Sequence, residues 1–101
     1  MGALEKVPGV QNWIDRLPAG MRAAFDRSIL YRCAVHLHQE RGMSVGHALA
    51  SAINWTKYIA RTGDVENWPG PRSVRPSSVA ECVAAVALWE AMKSYARSHK
   101  G

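Results

Sequence analysis

No stretch of this chain is long and apolar enough to cross a bilayer as a helix. The longest uncharged run, Gly42 to Thr56, carries Ser, Asn and His, and it falls short of the roughly 20 apolar residues a span needs. The N-terminal MGALEKVPGVQNW lacks the basic, then apolar, then small-residue order of a secretory leader, which predicts a protein that stays in the compartment where it is made. Lys6 stands where a myristoylation signal at Gly2 needs Ser or Thr. Cysteine is scarce. Cys33 and Cys82 both fall among apolar neighbours, which predicts small buried hydrophobes in preference to a disulfide or a metal pair.

Chemistry-bearing motifs are missing as well. There is no glycine-rich phosphate loop and no glycine-flanked serine elbow. Cys33, His36, His38 and His47 offer zinc-type donors, but His38 points about 200° away from His36 on a helix of ordinary pitch, and no second ligand pair follows at finger-like spacing. Asp64 and Glu66 are two carboxylates without a cage. These absences lead to a non-enzymatic reading with no catalytic residue, no cofactor and no metal.

What is present is enough apolar surface for one core. With 48% hydrophobic and 21% charged residues, the 101-residue chain reads as a single folded domain spanning 1–101. Thirteen Lys and Arg against eight Asp and Glu give a net charge of +5, which favours nucleic acid or acidic protein surfaces as partners. The excess is scattered, with local clusters only at Lys93, Arg97 and Lys100 and at Arg72 and Arg75.

Helical periodicity dominates. Trp13 and Leu17 predict a short helix over about 11–17, which Pro18 and Gly20 interrupt. Over 21–41, Phe25, Ile29, Cys33 and Leu37 recur at intervals of four, widened by Leu30 and Ala34, and Gly42 supplies a left-handed end. Ser44 is placed to cap a helix over 44–62, whose stripe is Val45, Ala48, Leu49, Ala52, Ile53 and Ile59. Trp55 and Tyr58 border that stripe, where large rings cover a core rim or meet a partner. Ser78 and Glu81 form a capping box opening a last helix over 78–98. One of its faces carries Cys82, Ala85, Leu88, Trp89, Met92 and Ala96. A second carries Val79, Val83 and Val86 before turning polar at Glu90, Lys93 and Arg97. A helix apolar on two sides is sandwiched, within its domain or between copies, so Val79, Val83 and Val86 mark a candidate oligomer face.

With no strand alternation and no internal repeat, the expected fold is all-α: a compact bundle of three long helices and a short N-terminal one, with a proline-rich ordered connector over 63–77. Pro69, Pro71 and Pro76 stiffen that connector, and Val65, Trp68 and Val74 give it apolar side chains to lay on the bundle. It reads either as a packed crossover or as a partner-binding loop with Trp68 as anchor and Arg72 and Arg75 as flanking charges, joined by Trp55 and Tyr58. HQERGMSVGHALA also permits a helix-turn-helix, with His47, Ser51, Asn54 and Lys57 on the polar side of its second helix. His38, however, occupies a crowded position that prefers alanine in that motif.

HALASAINWTKYIARTGD, the connector's NWPG and SSVAECVAAVALWEAMKSYAR, roughly residues 44 to 98, resemble small helical proteins encoded among the head genes of actinobacterial phages, also seen as helical tails of capsid maturation proteases. The shared pattern is an alanine-rich helix closed by a Thr-Gly turn, a short connector, and an alanine-rich helix with Trp89, Glu90 and Lys93. The resemblance implies an accessory capsid or virion component, or a helper of head assembly, located in the virion or the cytoplasm of the infected bacterial host. It further implies protein partners, many copies and no proteolytic residue. A small basic DNA-binding or host-directed regulatory protein is the alternative, with nucleic acid as a secondary partner and no membrane.

Overall fold

The computed structural model describes residues 13–98. Within them the chain is all helical, without strands: α1 Ala19–Arg27, α2 Ile29–Arg41, α3 Val45–Thr62 and α4 Val79–Ser98, with a 3-10 turn at Val65–Asn67. The short N-terminal helix is represented by Trp13 and Ile14 and closes in a turn, Leu17 N–H donating to the Ile14 carbonyl at 3.2 Å. Positions 11 and 12 of that expected helix lie outside the described residues.

The single helix expected over 21–41 is two. Ser28 is extended, at φ −75° and ψ 159°. Its Oγ accepts from Tyr31 N–H at 3.3 Å and donates to the Phe25 carbonyl at 2.7 Å, so one short side chain ends α1 and caps α2. Gly20 does not interrupt. It sits in the first turn of α1, which begins directly after Pro18, a residue well suited to a helix start because its missing donor is not needed there.

The other helix ends follow the local chemistry. Gly42 (φ 69°) and Gly63 (φ 77°) close α2 and α3 in the left-handed region. Ser44 Oγ accepts from His47 N–H at 3.2 Å at the start of α3. At α4, Ser78 Oγ accepts from Glu81 N–H at 3.1 Å. The returning carboxylate bonds one residue earlier than a standard box requires, taking Ser77 N–H at 2.7 Å and Ser77 Oγ at 3.0 Å. Its other oxygen accepts from Arg32 at 2.6 Å, tying the end of the connector to α2.

These helices close on one core. Phe25, Ile29, Leu30, Cys33, Ala34 and Leu37 pack against Val45, Ala48, Leu49, Ala52 and Ile59, and against Cys82, Ala85, Trp89 and Met92. α2 and α3 share the most extensive contact, α3 and α4 the next. Ile14 and Leu17 seal one end, and Trp13 meets Trp89 edge-on at 5.3 Å. Thr56, within the α3 stripe, is fully buried; its hydroxyl donates to the Ala52 carbonyl at 2.7 Å, so no polar atom is stranded.

The connector is a packed crossover. Trp68 is 3% exposed and meets Trp55 edge-on at 6.0 Å. Its Nε1–H donates to the Pro71 carbonyl at 3.2 Å, an oxygen that also accepts from Val74 N–H at 3.2 Å. The indole thus curls over Gly70, where an added Cβ would come within 2.7–2.8 Å of the ring. Pro71 and Pro76 are buried as well. Asp64 accepts from Asn67 at 2.7 Å and Thr62 Oγ1 donates to the Tyr58 carbonyl at 2.8 Å, fixing the connector's first turn.

Candidate functional site

The residues that sequence grouped as a partner-binding loop are separated by burial. Trp68 is consumed by its own bundle and offers no surface anchor, because ring, Nε1–H and Gly70 form one closed turn. Trp55 is half-buried against it and covers the core rim. Tyr58 is half-buried, with the Arg61 guanidinium 5.9 Å over its ring. Arg72 and Arg75 are exposed. Two exposed arginines remain on the connector, without the aromatic anchor expected of Trp68.

The valines expected to mark a face between copies differ in exposure. Val79 and Val86 are half-buried, while Val83, 51% exposed, is the one large hydrophobic side chain standing in solvent among the described residues. The exposed arc of α4 is centred on Ala80, Ala84, Ala87, Ala91, Ser94 and Ser98. Their spacing of four, three, four, three, four is the spacing a paired helix would use, here carried entirely by small residues. Of the charged residues beside it, Glu90 faces solvent and is held by Lys93 at 3.3 Å. Sequence reasoning found the apolar second face from its valines and missed this seam, although the alanine spacing is readable.

Neither thiol is poised for chemistry. Cys33 and Cys82 are free and fully buried, and burial pushes both thiols up to about 11; Arg41 opposes this at Cys33 and the Glu81 carboxylate adds to it at Cys82. His38 Nδ1–H donates to the Met43 carbonyl at 2.7 Å, fastening the α2–α3 turn. Among the described residues no three His, Cys, Asp or Glu side chains gather where a metal ion could be held. No helix there is long and apolar enough to cross a membrane. A depression of about 430 Å³, open to solvent, is lined by Trp13, Lys93, Ala96 and Arg97.

No protein-family model matches the chain, and neither a curated protein nor a solved structure matches it at a significant level.

Proposed function

We propose that the chain is a non-enzymatic assembly protein whose last helix docks a second copy of itself, and that it serves as an accessory component of a phage head. The observation that carries the docking is the outward face of α4: a full-length seam of Ala and Ser with Val83 exposed beside it. A soluble helix normally turns charged residues outward. Small residues in this register let two helices approach to the short end of the 8–10 Å range, so the surface complements itself about a two-fold axis.

Small side chains over one helix bury little area. The pair therefore belongs with weak interfaces below about 1,200 Å², which form when copies are crowded. That suits a component held in many copies on a shell, the role implied by the resemblance of residues 44 to 98 to phage head proteins.

Oxidative cross-linking tests the docking. Ala87→Cys on the seam is expected to give a covalent dimer rapidly, while Asn54→Cys on the solvent face of α3 is expected to stay monomeric, the buried native thiols taking no part. Equal cross-linking at both positions, or none at either, contradicts the seam. The phage assignment is tested separately by the genes flanking the coding sequence: head genes are expected, and a bacterial metabolic operon contradicts it.

A further inference from the structure

We infer that the outer face of α3 is a contact surface for the phosphate backbone of nucleic acid, a role independent of the α4 seam. From Val45 to Thr62, α3 contains no aspartate or glutamate. His47, Asn54 and Arg61 are exposed on its outer side, with Lys57 and Tyr58 half-exposed next to them. From His47 to Arg61 this row runs about 21 Å at 1.5 Å per residue.

The ion pairs among the described residues use Asp15, Asp26, Glu81 and Glu90 as acids, and none involves Lys57 or Arg61. Arg61 lies over the Tyr58 ring, which orients the guanidinium without satisfying its donors. The connector adds a further exposed cation. Because Trp68 is held against Trp55 and bonded to Pro71, the chain emerges from the α3 flank directly into exposed Arg72. The nearest acids in sequence lie beyond the C-terminal end of the row: Asp64, bonded to Asn67, and Glu66.

The chemistry of the row selects the partner. It presents no large aliphatic side chain that could insert into lipid. It also lacks a fully exposed aromatic to anchor in a protein pocket. A polar, acid-free face with two cations, Lys57 and Arg61, and no such anchor matches a backbone carrying one negative charge per ~1.7 Å of duplex axis.

Fluorescence anisotropy with a labelled mixed-sequence duplex of about 20 base pairs, titrated from about 20 to 200 mM salt, reads this directly; nonspecific binding of about 10⁻⁴–10⁻⁶ M is expected at the physiological end. Replacing Lys57→Gln together with Arg61→Gln should flatten the slope of log affinity against log salt by nearly 2, at ~0.9 per lost contact, and weaken low-salt binding at least about tenfold. The charge-matched variant Arg16→Gln with Arg27→Gln should keep most of the affinity. Circular dichroism confirms that both stay folded. No binding at the lowest salt, equal losses in the two variants, or tighter binding to phosphatidylserine vesicles than to the duplex would each overturn the inference.

Discussion

α3 and α4 bury their inner stripes in the same core, yet they show solvent opposite kinds of surface. The outside of α3 is polar and cationic, carrying His47, Asn54, Lys57 and Arg61; that of α4 is mostly small and apolar, Ala80, Ala84, Ala87 and Ala91 with Val83, beside Glu90 and Arg97. Both helices contribute buried residues to that core, so the difference lies in what their outer faces present. A polar outer face is complete in water. An outer face of alanine and valine leaves apolar area exposed that another helix can cover, which is why the two surfaces are assigned different partners.

The comparison breaks most easily at its shared base. Ile59→Ala on α3 and Met92→Ala on α4 remove fully buried side chains, and each is expected to lower unfolding free energy by about 2–5 kcal/mol in denaturant titrations. A large loss at one and none at the other would mean the two helices do not share a core. Next comes the connector that joins them. Gly70→Ala forces a methyl group into the buried Trp68 indole, and a cost of about 1–3 kcal/mol is expected from the same titration.

A smaller effect follows from the buried thiols, of which Cys82 lies on α4 and Cys33 on α2. Both are raised by burial to about 11 from an ordinary value of 9.0. Between those values the unfolded chain gives up protons that the native chain keeps, so their stabilising contribution is complete below pH 9 and is lost as pH rises towards 11. Thermal unfolding across that window should show the decline, and Cys33→Ala with Cys82→Ala should flatten it. Unchanged slopes in the double variant would place the decline in other groups.

Much of this was legible beforehand, and each miss has its own physical cause. The inner stripes of α2, α3 and α4 follow from the 3.6-residue period, and Gly42, Gly63, Ser44 and Ser78 mark helix ends by local chemistry. The break at Ser28 was hidden because Phe25, Ile29 and Cys33 keep step across it, and serine chooses between helix interior and cap by hydrogen bonds that periodicity does not register. Whether Trp68 pointed in or out was undetermined by composition; Gly70 and the Pro71 carbonyl decide it through atomic fit. On α4 the valines signalled a second face. The outward arc of α4 is carried mainly by alanines, whose small apolar area gives them little weight in a hydrophobic pattern.

The measurement that bears most directly on α4 as a docking helix is sedimentation equilibrium of the intact chain over a wide concentration range, beside Ala87→Lys. Ala87 is exposed, so the variant should keep its stability within about 0.5 kcal/mol. The expected result is a mass rising from 11.1 kDa towards twice that value for the native sequence, with the Ala87→Lys chain staying at the monomer mass throughout. A native chain that is monomeric at every concentration, or a variant that associates equally well, would contradict the account.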